Sequence, residues 1–176
     1  WTIHFDGSRQ LEGSGAGVVL TSPRADKFCY VLCIMFPCTN NVAEYEALLH
    51  GLRIAKEMNL SRVKCVGDSD LVAQQVSGTW DSKDPLMAAY RREVDMVAGH
   101  FKGYQVDHVD RRKNESADGL SRLGSQRKQV PPNVFLDVLH NLSVKLPTEE
   151  DLAIPDPEAQ LVAALLFRIG QFHILC

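Results

Sequence analysis

The sequence lacks a long apolar run, a C-x-x-C pair, an initiator methionine and an excess of positive charge. Its longest strongly apolar stretch, Leu161 to Phe167, is seven residues, whereas a membrane-spanning helix needs about 20. The chain does not open with the basic start and apolar run of a signal peptide. We therefore expect no membrane span, and the missing methionine indicates a piece excised from a longer protein.

The charge balance is slightly acidic, with 19 Lys and Arg against 22 Asp and Glu and a net charge of −3. No bulk positive field is available to hold nucleic acid, so such a site must depend on local basic clusters or on bound metal ions. The five cysteines are odd in number, and four lie in apolar, strand-like segments. This pattern predicts buried, reduced thiols in an intracellular protein rather than disulfides or a zinc site.

The 176 residues, 45% of them hydrophobic, suffice for one buried core and a tail. Three short β-rich runs separated by turn residues, at 2–6, 16–20 and 28–36, predict an antiparallel meander. Helical spacing then begins at 40–58, with Thr39 or Asn40 as the N-cap. The further predicted elements are strands at 62–66 and 104–109 and helices at 71–76, from Pro85, and at 114–123.

This order, β-β-β-α-β-α-α-β-α, predicts an α/β fold with a five-stranded mixed sheet flanked by helices. Strands joined through a helix must be parallel, so two parallel strands extend the antiparallel meander. After residue 124 the sequence becomes proline-punctuated and weakly periodic. We therefore predict a catalytic domain at 1–124 and a linker-like C-terminal extension at 125–176 with some local helix.

Four acidic residues converge in this layout. Asp6 and Asp68 end the first and fourth strands, Glu44 lies early in the first long helix, and Asp118 begins the last helix. Alone, each is typical of a turn, a cap or a solvated helix face. Together, several carboxylates beside a core repel unless a cation binds them, and hard oxygen ligands favour Mg²⁺ or Mn²⁺.

Five motifs surround these acids in order: Phe5-Asp6-Gly7-Ser8, Gly15 to Leu20, Thr39 to Leu48, Gly67-Asp68-Ser69, and His108 to Arg111 with Asn114 to Asp118. In this order they resemble the type 1 ribonuclease H family, and most of all the ribonuclease H domain of plant gypsy-type LTR retrotransposon polyproteins. The resemblance covers roughly residues 1–124 and implies the family's five-stranded mixed sheet, in agreement with the element order.

The resemblance implies that Asp6, Glu44, Asp68 and Asp118 bind two Mg²⁺ ions, for which Mn²⁺ can substitute. It implies an endoribonuclease that cleaves the RNA strand of RNA–DNA hybrids by two-metal catalysis. It also implies a parent polyprotein with reverse transcriptase and integrase domains, in which the extension follows the ribonuclease H domain.

The resemblance further assigns residues to the substrate. Asn40 and Asn41 match positions that touch the hybrid's minor groove, and Ser69 and Gln74 match further substrate contacts. Asn40 is equally well explained as a helix cap, and Gln74 as a solvent-exposed amide.

Two more assignments concern the segment before Asp118. His108 matches a mobile histidine that aids proton transfer or product release, although a partly buried strand histidine explains it equally well. Arg111 is expected near the scissile phosphate or the DNA backbone, and a plain surface arginine is the alternative.

Two rival functions remain open at this point. One is a catalytically inactive, nucleic-acid-binding fragment of a decayed retroelement. The odd tail and Asp70, where relatives usually have a neutral residue, favour it mildly, and the presence of all four carboxylates argues against it. The other is a receiver-like α/β domain with strand-end aspartates, which the opening meander disfavours because such folds begin βαβ.

Overall fold

The computed structural model of the protein describes residues 1–79 and 83–146. These residues form six strands and four α-helices. The elements in chain order are β1 (Thr2–Arg9), β2 (Ser14–Thr21), β3 (Lys27–Ile34), α1 (Asn40–Glu57), β4 (Arg62–Gly67), α2 (Asp70–Val76), α3 (Pro85–Ala98), β5 (Gly103–His108), α4 (Glu115–Ser125) and β6 (Phe135–Leu139). A short 3-10 turn, Arg111–Lys113, precedes α4.

The strands form one mixed sheet in the order β5-β4-β1-β2-β3-β6. β1, β2 and β3 are antiparallel neighbours, and β4 and β5 add in parallel beside β1. The predicted meander with two parallel additions is therefore confirmed. The strand count differs from the prediction, because β6 pairs in parallel with β3 as a sixth strand.

β1 is longer than predicted, and Asp6 lies inside it rather than at its end. Its pairing with β2 continues through Asp6 opposite Gly17 to Arg9 opposite Ser14. The hairpin then closes through backbone hydrogen bonds between Gln10 and Gly13. The Asp6-Gly7-Ser8 triplet is thus not a turn, because the sheet ladder satisfies its backbone groups.

The main core lies between one sheet face and helices α1 and α3. Alternate β1 residues, Ile3 and Phe5, are fully buried there against α1 residues such as Leu48 and Leu52. Thr39 caps α1, since its hydroxyl accepts a hydrogen bond from Val42 N at 3.3 Å, which settles the choice that the sequence had left between Thr39 and Asn40.

Glycines let two helices approach the sheet very closely. A Cβ added to Gly7 would lie 2.3 Å from the backbone nitrogen of Glu44 in α1. On the opposite face, a Cβ added to Gly17 would lie 2.3 Å from the carbonyl oxygen of Ala117 in α4. The backbones that carry Glu44 and Asp118 therefore rest almost directly on β1 and β2.

The chain after α4 remains part of the compact unit as far as Leu146. Arg127 donates hydrogen bonds to the carbonyl oxygens of Ser14, Gly124 and Ile34 at 3.0, 2.8 and 2.6 Å. In β6, Phe135 stacks on the ring of Tyr30 with a centroid separation of 4.9 Å.

The compact unit runs from Trp1 to Leu146, so it extends past the predicted boundary at residue 124. The predicted linker-like character does not describe residues 125–146, because Arg127 and β6 make specific backbone and ring contacts with the domain. Residues 147–176, including the apolar run at 161–167, lie outside the described residues. No described helix is both long and apolar enough to cross a bilayer.

Candidate active site

Three of the four predicted carboxylates meet at one end of the sheet. Asp6 comes from the middle of β1, Glu44 from the second turn of α1, and Asp68 from the residue after β4. One oxygen from each can be chosen so that all three lie within 4.8 Å of one another. We call Asp6, Glu44 and Asp68 the acidic cluster.

The acidic cluster is electrostatically unfavourable without a cation. Glu44 is only 5% exposed, and burial, followed by the charges of Asp6 and Asp68, raises its pKa well above the usual value. Its Oε1 accepts a 3.4 Å hydrogen bond from Asn40, but its Oε2 is buried with no hydrogen-bond partner among the described residues. A buried carboxylate oxygen in this state is costly unless a ligand satisfies it.

Asp6, which lies on the opposite face of the sheet, is also in an electrostatically unfavourable environment. Burial raises its pKa to about 7, and the charges of Asp68 and Asp118 add to the shift, while a hydrogen bond from the Ser121 hydroxyl opposes it. Three hard oxygen donors, one of them unpartnered, suit Mg²⁺ or Mn²⁺. The donor set therefore fits the divalent cation that the sequence predicts.

Asp118 is beside the acidic cluster but is not part of it. Its two carboxylate oxygens pair with guanidinium groups: Arg111 Nη2 lies 2.8 Å from Oδ1 and Arg122 Nη2 lies 2.9 Å from Oδ2. Its side chain is 14% exposed. The predicted fourth ligand thus already has two positively charged partners.

A polar cavity of about 480 Å³ opens over these acids. Of the predicted substrate-binding residues, Asn40, Ser69 and Arg111 are among the described residues that line it. Ser69 also caps α2, since its hydroxyl accepts from Val72 N at 3.4 Å.

The other predicted residues are placed differently. Asn41 and Gln74 are half-buried and are not among the described lining residues, and Gln74 donates to Asp70 at 3.3 Å. His108 is exposed at the end of β5 opposite Gly67 and is also not among them. The expectation of a partly buried strand histidine was wrong, because the side chain faces solvent at the strand terminus.

Sequence reasoning missed three residues that organise the site. Asn114 is 1% exposed and donates from Nδ2 to Asp68 Oδ1 and to the Phe5 carbonyl oxygen, both at 2.9 Å. Ser121 holds Asp6, and Arg122 holds Asp118. The available signal was helical spacing, because Ser121 and Arg122 follow Asp118 by three and four residues and so share its face of α4.

Comparisons with known proteins show what the chain is similar to. A family model described as reverse transcriptase-like matches residues 4–124. Ribonuclease HI of Halobacterium salinarum is 37% identical over 83 residues, which are 47% of this chain and 42% of that protein. YpeP of Bacillus subtilis, an uncharacterised protein, is 30% identical over 147 residues, 77% of this chain and 63% of YpeP. The chain thus spans less than two thirds of either relative.

Solved structures are similar over a larger share of their length. The crystal structure of RNase H1 from H. salinarum has a TM-score of 0.64 and 30% identity, covering 72% of this chain and 97% of the other. LC11-RNase H1, solved in complex with an RNA/DNA hybrid, has a TM-score of 0.62 and 26% identity, covering 72% of this chain and 96% of the other.

Proposed function

The chain belongs to the reverse transcriptase-like family of ribonuclease H-like proteins, and from this premise we propose that it hydrolyses the RNA strand of RNA–DNA hybrids with the help of divalent cations. The observation that carries the proposal is the acidic cluster, whose three carboxylates converge within 4.8 Å and leave one buried oxygen of Glu44 unpartnered. The similarity to LC11-RNase H1, solved with a hybrid, supports the choice of substrate.

Asp6, Glu44 and Asp68 would hold the cations, and Asp118 would join them for a second ion. Bound divalent cations supply positive charge that stabilises the phosphate as negative charge develops in the transition state. The predicted number of two Mg²⁺ ions, with Mn²⁺ as a substitute, is part of the proposal.

The protein's own residues orient the acids before any ion arrives. Asn114 fixes Asp68 to β1 through the Phe5 carbonyl, and Ser121 fixes Asp6 to α4. Asn40 limits the rotation of Glu44. These bonds hold the carboxylates in one geometry, so less conformational entropy is lost when a cation and a phosphate bind.

Arg111 and Ser69 line the cavity and offer donors to a nucleic-acid strand. Arg111 is 67% exposed, and the hydrogen bond and charge of Asp118, followed by the charges of Asp68 and Asp6, raise its pKa. A guanidinium so placed binds phosphate oxygens in a fork geometry. Arg111 therefore remains our proposed phosphate contact, whereas His108 and Gln74 would require the bound hybrid to extend beyond the cavity.

The wider context is also a proposal. The five-motif resemblance favours a plant gypsy-type retrotransposon polyprotein with adjoining reverse transcriptase and integrase domains, acting inside the cell. Such tethering would supply affinity that the near-neutral charge of this chain does not.

The test is cleavage of a labelled RNA–DNA hybrid by Asp68→Asn in Mg²⁺. The change is nearly isosteric but removes the charge that Asn114 orients, so cleavage should fall at least tenfold, about 1.4 kcal/mol of barrier, while the melting transition persists. Retention of more than a tenth of wild-type activity would exclude the metal role of Asp68. Hybrid binding without cleavage by the wild-type protein in Mg²⁺ or Mn²⁺ would favour the inactive-fragment alternative instead.

A further inference from the structure

Asp118 differs from the other three carboxylates in how its charge is balanced. Arg111 reaches it from the 3-10 turn before α4, and Arg122 reaches it from one turn further along the same helix. Arg122 Nη2 lies 3.1 Å from Oδ1 and 2.9 Å from Oδ2, while Arg111 Nη2 lies 2.8 Å from Oδ1. Both oxygens of Asp118 thus interact with guanidinium groups.

The acidic cluster has the opposite character. Its acids are oriented by neutral donors, namely Asn40, Asn114 and Ser121. The buried Oε2 of Glu44 has no partner among the described residues. A first cation therefore finds three oxygen ligands there without any contribution from Asp118.

Resting on the function proposed above, we propose that Arg111 and Arg122 are positioning residues that hold Asp118 away from cations in the free protein, so that divalent ions bind in a fixed order. The first ion enters the acidic cluster of Asp6, Glu44 and Asp68. The second ion binds more weakly, because it must displace guanidinium groups from Asp118.

The physical reason is competition between two kinds of cation for one carboxylate. An ion at Asp118 gains a ligand only after the charge-assisted hydrogen bonds to the arginines break. It also approaches two fixed positive charges. Because Arg111 and Arg122 are 67% and 49% exposed, each pair contributes only modestly in water, and the barrier to the second ion is small enough to be overcome at higher ion concentration.

The experiment measures Mn²⁺ binding to the metal-free full chain, without nucleic acid, by isothermal titration calorimetry and by the loss of the free-ion electron paramagnetic resonance signal. Wild type should bind one ion more tightly than a second. Arg122→Gln should tighten the second step about fivefold, and Arg111→Gln/Arg122→Gln should tighten it further. In Arg122→Gln the first step should change less than about twofold, since Arg122 contacts Asp118 and not the acidic cluster.

Three further variants make the result specific. Arg112→Gln removes the same charge from the same segment, but Arg112 is not among the described residues that line the cavity, so it should leave the second step near wild type. Arg122→Lys keeps the positive charge, so the second ion should bind nearly as weakly as in wild type. Asp118→Asn should abolish the gain from Arg122→Gln, and thermal melts should show that every variant is folded.

The outcomes separate this inference from the proposed function. A second step that Arg122→Gln and the double arginine variant leave unchanged, or that Arg112→Gln tightens equally, would overturn the role of the arginines. Absence of the first step in wild type would instead refute the metal site itself. Raising monovalent salt should shrink the difference between wild type and Arg122→Gln, because the arginine pairs are exposed.

Discussion

Glu44 and Glu46 lie two residues apart on α1, both are buried, and each has an Oε2 without a hydrogen-bond partner among the described residues, yet the groups around them differ. Glu44 faces the carboxylates of Asp6 and Asp68 and receives one 3.4 Å hydrogen bond from an amide. Glu46 is 0% exposed, and its Oε1 accepts from Tyr90 Oη at 2.5 Å and from Ser143 N at 2.9 Å. Residues two apart on a helix point to different sides, so one helix serves two purposes.

The comparison teaches that burial of an acid does not by itself indicate function. Glu46 joins α1 to α3 and to the C-terminal segment, and Arg53 on the same side of α1 donates to Glu93 and to the Ser143 carbonyl oxygen. Those contacts hold α1 to α3 and to the C-terminal segment. Because like charges surround Glu44, its carboxylate is best stabilised by a bound ligand.

The largest expected effect is on hybrid cleavage, which should distinguish Glu44 from Glu46. Glu44→Gln should lower hybrid cleavage roughly a thousandfold, about 4 kcal/mol of barrier, because a cation ligand is lost. Glu46→Gln, the matched control, should keep cleavage within about threefold per folded molecule. Single-turnover assays of both variants in Mg²⁺ measure this, and equal losses would show that the contrast between the glutamates is not functional.

A truncation should lower stability through two sets of lost contacts, those of Arg127 and those of Ser143 with Glu46. A chain ending at Ser125 loses Arg127, β6 and Ser143, and the three Arg127 hydrogen bonds alone account for about 3 kcal/mol of the free energy of unfolding. A chain ending at Leu146, which keeps these contacts, serves as the comparison. Urea unfolding monitored by circular dichroism tests both; an unchanged midpoint for the shorter chain would restore the boundary near residue 124.

The pH dependence of the free energy of unfolding should reflect the acidic cluster. In EDTA, the Asp6 carboxyl titrates near 4 when unfolded and near 7 when folded, so the folded state binds more protons between these values. The free energy of unfolding should therefore fall as pH rises from about 4 to about 7, by about 3 kcal/mol. Asp6→Asn should flatten part of this profile, since the raised pKa of Glu44 contributes in the same direction. Urea unfolding at each pH measures the profile, and one that Asp6→Asn leaves unaltered would contradict the assignment.

The smallest expected effect is on stability without metal, where the two glutamate variants should shift the melting temperature in opposite directions. Without metal, Glu44→Gln should stabilise the protein because it removes a buried like charge, whereas Glu46→Gln should destabilise it by about 1 kcal/mol as its hydrogen bonds lose charge assistance. Differential scanning calorimetry in EDTA compares the melting temperatures. Shifts in the same direction for both variants would mean that their environments are more alike than the geometry indicates.

Much of the fold followed from local pattern. Helical spacing and a capping threonine located α1, and short turns between three β-rich runs implied the meander. β6 was missed because it is five residues long and its Phe135, Leu136 and Val138 are exposed, so it lacks the alternation of a buried strand. Its position depends on the open edge of β3, which local sequence does not reveal.

The candidate site could also be predicted from the sequence only in part. Glu44 could be singled out because its motif distinguishes it from Glu46, although both have the same residue type and similar burial. The pairing of Arg111 with Asp118 could not be foreseen, because Arg111 reaches it across the turn that joins β5 to α4, whereas the i,i+4 spacing of Arg122 does indicate its pairing. The location of Asp6 within β1 depended on pairing with β2, which a local Asp-Gly-Ser triplet does not report.

The close approach of α4 to β2 at Gly17 has a consequence for how the sequence can vary. Any side chain there must push the Ala117 carbonyl, 2.3 Å from the added Cβ, and with it the backbone on which Asp118 and Ser121 are mounted. In a selection for cleavage, Gly17 would then behave like an active-site position although it carries no functional group.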